Sequence, residues 1–230
     1  MALSVKLISR TPEPARVVAA AAKLCYSASS AMELFDGLDE KEIRRFIRML
    51  RESGHMSPFE HVSFTYAIEG ASRVMTHQLV RHRVASYSQQ SQRYVTMGTP
   101  KYVVPPGISA NPEAKAVFES SAREAYAAYE RMISLGAPRE DARFILPHGW
   151  ETSIMVTMNA REMRHFFELR LCRRAQWEIR LAARKMLSIA LDAAPELFDT
   201  AGPPCVSSLC REKNPCGRPY ENLKEVLEDR

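Results

Sequence analysis

Strand-like and helix-like segments follow one another in a mixed order along this chain, and that order restricts its fold more than any other feature. Residues 3–7, 62–68 and 150–158 alternate apolar with more polar side chains, which is the pattern of a half-buried strand. Helical patterns lie between and after these segments. The mixed order predicts an α+β fold with a mixed or antiparallel central sheet flanked by helices. We expect a single domain over residues 1–200 and a tail containing Pro and Cys over residues 201–230.

Capping signals indicate where the helices begin. Thr11 and Pro12 are expected to open the first helix, as its N-cap and first helical residue. Two pairs have the spacing of a capping box, Asp39 with Glu42 and Asn159 with Glu162. Further helical patterns cover residues 72–82, 112–135 and 175–191.

The basic and polar run Arg81–Tyr94 is the strongest indicator of function in the sequence. It holds three arginines, one histidine, three serines and three glutamines within fourteen residues. Arginine presents a planar, permanently charged fork of donors that matches phosphate, and serine and glutamine add neutral donors and acceptors. The run therefore predicts binding of an anionic, polar ligand such as a nucleotide. A solvated basic surface that touches nucleic acid is the alternative.

The preceding helix is expected to carry part of the same site. Gln78, Arg81 and His82 fall at positions i, i+3 and i+4, which would place them on one helix face. Residues 86–107 are polar and contain prolines, so we expect a long loop there with a short strand at 102–104. A loop of this length is often functional.

Charge and composition narrow the class of protein. The net charge of +5 and the pI of about 9.0 suit anionic substrates but lack the strong asymmetry of a nucleic-acid coat protein. No glycine-rich phosphate loop is present. No apolar run approaches the roughly 18 residues of a membrane span, and residues 1–10 lack a secretory signal pattern. We expect a cytoplasmic protein with no membrane partner.

Other chemistries have weaker support. The six histidines lack metal-ligand spacing, so no metal site is predicted. Ser86, Ser88 and Ser91 lie outside any nucleophile elbow and are better explained as polar ligands. Cys172 has arginines beside it that could activate a thiolate, although a small buried side chain is an equal explanation. The tail cysteines, Cys205, Cys210 and Cys216, are expected to be inert thiols, with a metal site or a regulatory disulfide as the minor alternative.

The chain resembles the flavin-dependent thymidylate synthases. The signature of that family specifies Arg-His-Arg, then two serines and an arginine, and here Arg81-His82-Arg83, Ser86, Ser91 and Arg93 match every specified position. Four further blocks are similar to family segments, namely residues 55–61, 142–147, 159–170 and 175–178. The similarity spans about residues 3–200.

The resemblance implies a reaction, a set of cofactors and a quaternary state. Members methylate C5 of dUMP to give dTMP, with methylenetetrahydrofolate as carbon donor and FAD, reduced by NADPH, as hydride source. They use no enzymic nucleophile and form homotetramers with shared active sites. No nucleic-acid partner is implied.

The resemblance also implies site residues. The catalytic residue would be Arg170, which would sit beside the uracil and favour ionisation at N3. The residues expected to bind dUMP are Gln78, Leu79, Val80, Arg81, Gln89, Gln90, Ser91, Gln92, Arg93, Arg143 and Arg170. The residues expected to bind FAD are Ser57, Arg81, His82, Arg83, Gln89, Asn159, Ala160, Arg161 and His165. Ser88, Gln89 and His165 stand where some members have Asn, Glu and Asn, which can also form hydrogen bonds.

Two other functions remain open from the residues alone. One is a basic RNA- or DNA-binding module that uses the Arg81–Tyr94 run, although no recognised binding motif or aromatic stacking platform accompanies it. The other is a related flavoprotein that acts on uracil nucleotides with a different carbon donor.

Overall fold

The computed structural model describes residues 3–95 and 98–229, and in this part of the chain it has four strands and eleven helices. The strands are β1 (Ser4–Arg10), β2 (Ser63–Ser72), β3 (Ala85–Gln89) and β4 (Glu151–Asn159). The helices are α1 (Pro14–Leu24), α2 (Ala31–Gly37), α3 (Glu40–Ser53), α4 (Arg73–Leu79), α5 (Pro106–Ser109), α6 (Pro112–Ser134), α7 (Arg139–Ala142), α8 (Ala160–Arg170), α9 (Trp177–Ala193), α10 (Pro195–Phe198) and α11 (Leu223–Glu228). Short 3-10 turns occur at Ser57–His61, Arg143–Ile145 and Pro204–Val206.

The four strands form one antiparallel sheet in the order β1-β2-β4-β3, which confirms the predicted α+β class. The central strand β4 alternates as the sequence predicts, with Thr152, Ile154, Val156 and Met158 buried. The edge strand β3 was expected to be loop. Its side chains are at most half-buried, and an edge strand of this kind has no apolar face from which it could be predicted. At the predicted strand 102–104, only Tyr102 pairs, in an isolated bridge to Trp150.

The chain divides into two compact units. The first unit comprises Met1–Ser4, Ile68–Arg81 and Tyr87–Met155, and the second comprises Val5–Ala67, His82–Ser86 and Val156–Arg230. In the first unit α6 packs against α5 and α7. Its core centres on Trp150, whose ring stacks on Tyr126 at 5.5 Å between centroids, and on buried Tyr129.

The second unit has a helical core. Helix α1 packs against α2 and α3, and α9 packs against α8, α10 and α11. Phe198 sits edge-on to Phe64 and Phe167, with ring centroids 5.4 and 6.0 Å away. Burial of such aromatic side chains contributes about 1.5–3 kcal/mol each, so this cluster is a main source of stability.

Most predicted helix boundaries are confirmed, with one wrong start. Asp39 and Glu42 form the predicted capping box, and Gly54 closes α3 with φ of 74°. The first helix begins at Pro14, not at Pro12, because Thr11 is engaged elsewhere. The Thr11 hydroxyl accepts from the Ser63 N–H at 3.0 Å, and its own N–H donates to the Ser63 carbonyl. Thr11 therefore pairs with the start of β2 instead of capping α1.

Candidate active site

Helix α4 carries the first part of the site in the first unit. Ser72 caps it by accepting the Met75 N–H at 3.1 Å, and Met75, Thr76 and Leu79 face the core. Arg73 and His77, one turn apart, lie on the other side and line a cleft. The helix ends at Leu79, so the predicted helix face of Gln78, Arg81 and His82 is wrong. Arg81 and His82 follow the helix in irregular backbone.

This cleft, of about 390 Å³, is cationic and is called the arginine cleft below. It is lined by Arg73, His77, Gln92, Arg143, Phe144, Leu146, Pro147 and His148. Arg73 and Arg143 make no ion pair in the described part of the chain. Burial, and secondarily the charge of Arg143, lower the pKa of Arg73. Two uncompensated guanidinium groups at one cleft favour an anionic ligand.

Two buried donors in the arginine cleft lack partners. Nη1 of Arg73 and Nε2 of Gln92 are out of contact with solvent and have no hydrogen-bond partner in the described residues. A buried unpaired donor is costly, and such atoms call for an explanation. A bound ligand with several acceptor oxygens would satisfy both once the Arg73 and Gln92 side chains turn toward it. The cleft therefore fits a phosphate-bearing ligand on the strength of its own atoms.

The predicted dUMP residues of the Arg81–Tyr94 run have different surroundings. Gln92 is buried in the arginine cleft, whereas Gln90 is exposed and lines a separate cleft with Glu69 and Lys101. Gln89 donates from Nε2 to Thr76 Oγ1 at 3.1 Å and to Thr152 Oγ1 at 3.3 Å. These bonds fix Gln89 against its own unit.

Arg93 and Arg143 are both organised by Glu140. The Glu140 carboxylate pairs with Arg93 Nε at 2.6 Å, and its carbonyl accepts from Arg143 Nε at 3.1 Å. Arg93 also stacks over Tyr94, 5.2 Å from the ring centroid. Ser91 Oγ accepts the Arg93 N–H at 3.1 Å, which makes Ser91 a local turn former.

The residues that follow Gln78 form hydrogen bonds mainly through their backbone groups. Leu79 is fully buried, and its carbonyl accepts from the Tyr87 hydroxyl at 2.8 Å. Val80 and Arg81 are exposed, and among the described residues the Gln78 amide bonds only to its own helix, 3.5 Å from the Val74 carbonyl.

The second unit holds a hydrogen-bonded chain of three side chains, Glu162, His82 and Arg170, called the His82 relay below. Glu162 Oε1 lies 2.9 Å from His82 Nδ1, and Arg170 Nε donates to His82 Nε2 at 3.0 Å. His82 is 5% exposed and Glu162 is 8% exposed. Arginine can only donate, so His82 Nε2 is the acceptor and its proton sits on Nδ1, facing Glu162. The ring is thus neutral and held in one tautomer.

The pKa of His82 agrees with a neutral ring. Burial lowers it most, and the charges of Arg170 and His165 lower it further, against the opposing effect of Glu162. Phe166 packs edge-on against the ring at 5.0 Å, which excludes water from that side. Burial also lowers the pKa of Arg170, although an arginine stays charged at neutral pH.

Helix α8 supports this relay. Asn159 caps it by accepting the Glu162 N–H at 2.8 Å, and the Ala160 N–H donates to the Val62 carbonyl at 3.0 Å. The Asn159–Glu162 spacing predicts a capping box, but only half of one forms. The Glu162 carboxylate does not return to Asn159, because it is bonded to His82.

Several of the predicted FAD residues of the second unit lie on α8 or on the turn packed against it. The 3-10 turn that begins at Ser57 packs against α8, and Arg161 pairs with Glu60 of this turn at 2.5 Å. His165 lies on the next turn of α8, 5.9 Å from His82 between ring centroids. Arg83 is exposed and has no ion-pair partner in the described residues. Exposed cations and small polar groups at a helix start suit a pyrophosphate without a glycine-rich loop.

The structure assigns the predicted site residues to the two units as follows. The first unit holds Gln78, Leu79, Val80, Arg81, Gln89, Gln90, Ser91, Gln92, Arg93 and Arg143, and the second holds Ser57, His82, Arg83, Asn159, Ala160, Arg161, His165 and Arg170. Sequence reasoning missed Arg73, His77 and His148 in the arginine cleft. The i, i+4 spacing of Arg73 and His77 on a helix capped by Ser72 was the available signal.

The proposed activation of Cys172 is not supported. Burial raises the pKa of the Cys172 thiol. The neighbouring arginines are engaged elsewhere, since Arg173 pairs with Glu225 and Asp229, and Arg174 with Glu212. Cys172 lines a cavity of about 280 Å³ together with Cys205, Cys210 and Cys216, and all four are unpaired. Within the described residues no trio of His, Cys, Asp or Glu has a metal-binding arrangement.

The tail after residue 201 is partly buried in the second unit. Tyr220 and Val226 are 2% and 1% exposed. Arg173 lies over the Tyr220 ring at 4.0 Å, and its Nη2 and Nη1 contact Glu225 and Asp229 at 2.8 Å each. The end of the tail is therefore packed against the second unit through these residues.

Comparison with known proteins identifies the family. The model of the family described as "Thymidylate synthase complementing protein" matches residues 6–196. The flavin-dependent thymidylate synthase of Clostridium tetani is 46% identical over 99% of this chain and 98% of its own length. That of Geobacter sulfurreducens is 48% identical over 95% of this chain and 96% of its own.

A solved structure is also similar. The crystal structure of the UMP/dUMP methylase PolB from Streptomyces cacaoi, bound with 5-Br dUMP, superposes with a TM-score of 0.74 at 27% identity. The match covers 86% of this chain and 93% of that one.

None of the described helices has the length and apolar character to span a membrane. On the extent of these matches, this chain belongs to the flavin-dependent thymidylate synthase family.

Proposed function

We propose that the protein methylates C5 of dUMP to form dTMP, with methylenetetrahydrofolate as carbon donor and FAD, reduced by NADPH, as hydride source. The observation that carries this function is the pair of buried, unpartnered donors of Arg73 and Gln92 in the arginine cleft. The cleft binds the 5′-phosphate, whose oxygens accept from Arg143 and, once the Arg73 and Gln92 side chains turn toward the ligand, from these two donors. Family membership supports the remaining assignments.

Arg170 activates the pyrimidine in this proposal. Its Nε is held by His82, so the two terminal nitrogens remain for a ligand, and neither has a partner in the described residues. A fixed cation next to the uracil favours loss of the N3 proton and stabilises negative charge on the ring, which makes C5 more nucleophilic. No nucleophilic side chain is needed, which agrees with the engaged Ser91 hydroxyl and the raised pKa of the Cys172 thiol.

FAD would be held by the second unit and would supply the hydride chemistry of the reaction. Arg83 and Arg161 would bind its phosphates, and Ser57 and His165 would add hydrogen bonds. His82 would contribute packing or backbone, because both of its ring nitrogens are bonded within the relay. We further propose a cytoplasmic homotetramer in which each active site draws residues from more than one subunit.

The test is dTMP formation by the purified protein from dUMP, methylenetetrahydrofolate and NADPH, with and without added FAD. FAD-dependent dTMP is the expected product. UMP in place of dUMP tests the choice of sugar, because the similar PolB is named for both nucleotides. Bound flavin with NADPH oxidation but no dTMP would indicate a different carbon donor. A colourless protein with no product would refute the proposal and favour the nucleic-acid-binding alternative.

A further inference from the structure

Glu162 is a buried carboxylate with no role in the proposed chemistry. Its partner at 2.9 Å is Nδ1 of His82, although the Asn159–Glu162 spacing would let its side chain complete a capping box. The bond from the Asn159 N–H to the Glu162 carboxylate, which would complete the box, does not form. In its place, the carboxylate reaches a ring whose other nitrogen binds Arg170.

The hydrogen-bond directions through the relay are fixed from the Arg170 end. Arg170 Nε carries a hydrogen at all accessible pH values, so His82 Nε2 must present its lone pair. The single proton of the neutral ring then lies on Nδ1, where Glu162 Oε1 is the acceptor. The opposite tautomer would set the Nε2–H against the Nε–H of Arg170, 3.0 Å away, and would break the chain.

We propose that Glu162 is a positioning residue, which acts through His82 to aim the guanidinium of Arg170. Its carboxylate accepts the Nδ1 proton of the one ring tautomer that the Arg170 Nε–H requires, and this holds the ring in place. Arg170 then presents its terminal nitrogens in a fixed direction. This role rests on the proposed function of Arg170. Glu162 itself does not contact the substrate in this scheme.

The test compares Glu162→Ala and Glu162→Gln in the FAD-loaded enzyme. Loss of the acceptor in Glu162→Ala should lower turnover at saturating dUMP by about 100-fold, the scale expected when a catalytic group is misaligned by about 1 Å. Its KM for dUMP and its flavin content should change much less. Glu162→Gln keeps an oxygen that can accept from Nδ1, so it should stay within about 10-fold of the parent enzyme.

A matched control and a double variant separate positioning from a general loss of structure. Glu178→Gln alters a second buried glutamate whose N–H is also capped, by Gln176 at 3.0 Å, and it should retain turnover. In an Arg170→Ala background, Glu162→Ala should cost no further turnover, because the residue through which it acts is gone. Additive losses in the double variant would overturn the proposal, as would normal turnover in Glu162→Ala.

The tautomer can be observed directly and without turnover. Nitrogen-15 shifts of the His82 ring should show a neutral ring protonated at Nδ1 in the parent and in Glu162→Gln. An Nε2-protonated ring in the parent would refute the proposal even if Glu162→Ala fails to fold. If the parent forms no dTMP but shows the expected tautomer, the proposed function fails while the relay geometry stands.

Discussion

Replacing Arg73 by Met should raise the thermal stability of the ligand-free protein and weaken its binding of dUMP. In the free protein Arg73 Nη1 is buried and unpaired, and the guanidinium stands near that of Arg143. An unpaired buried polar group costs about 1–3 kcal/mol, and the lower end applies because the side chain is only half-buried. About 1 kcal/mol corresponds to about 2–4 °C in Tm for a chain of this size.

The effect on binding has the opposite sign. A hydrogen bond that involves a charged group contributes about 1.5–3 kcal/mol, and every 1.4 kcal/mol is about tenfold in affinity. Arg73→Met should therefore raise the Kd for dUMP by about 10- to 150-fold. Calorimetric titration with dUMP gives the Kd, and thermal unfolding without nucleotide gives the Tm.

Two controls locate the effect at the phosphate. Deoxyuridine, which has no phosphate, should bind the variant and the parent with equal affinity. Arg123→Met, which removes an exposed arginine from α6 in the same unit, should leave dUMP binding unchanged. Parental dUMP affinity in Arg73→Met, or a drop in its Tm without nucleotide, would refute the phosphate role of the arginine cleft.

Three further outcomes are expected. Arg170→Ala should lose more turnover than FAD occupancy, because its role is to activate the pyrimidine; near-normal turnover at saturating dUMP would contradict this. Arg83→Ala should lose flavin during purification, which absorbance at 450 nm measures, and unchanged flavin content would count against its contact with FAD. The pKa of His82 is lower in the folded protein than the ordinary histidine value of about 6.5. Below about pH 6.5 the unfolded chain therefore binds this proton more readily than the folded one, and the free energy of unfolding decreases. Tm should therefore decline from pH 7.5 to 5.5, and the decline should be shallower in His82→Gln; parallel curves would show that the ring does not titrate in this range.

Local signals in the sequence predicted most of the fold. Alternation and capping placed β4, α3 and α6 within about two residues of their observed ends, because one buried face and one cap decide each of these elements. The misses have physical causes. The hydroxyl of Thr11 pairs with Ser63, which is far away in sequence, and β3 is an edge strand without an apolar face.

The site was predicted in part. The Arg81–Tyr94 run indicated an anion site, but it contributes only the neutral Gln92 to the arginine cleft, whose guanidinium groups are those of Arg73 and Arg143. The spacing of Arg73 and His77 on one helix was the available signal for this side of the site, but composition does not reveal that a donor is buried and unpaired. The role of Glu162 was masked by a capping pattern that fits its spacing equally well, and only its contact with His82 distinguishes the two.

The contacts of Arg173 with Tyr220, Glu225 and Asp229 bear on how the protein can be shortened. A fragment that stops at the predicted boundary of residue 200 would remove Glu225, Asp229 and the Tyr220 ring together, and Arg173 would keep a partly buried charge without its partners. Arg173 is three residues beyond Arg170, so the damage would begin beside the helix that carries the relay. The same cut would remove both partners of the bond that Tyr220 donates to the Asp229 carboxylate at 2.6 Å. A fragment meant to keep the surroundings of Arg170 intact should therefore include residues 201–229.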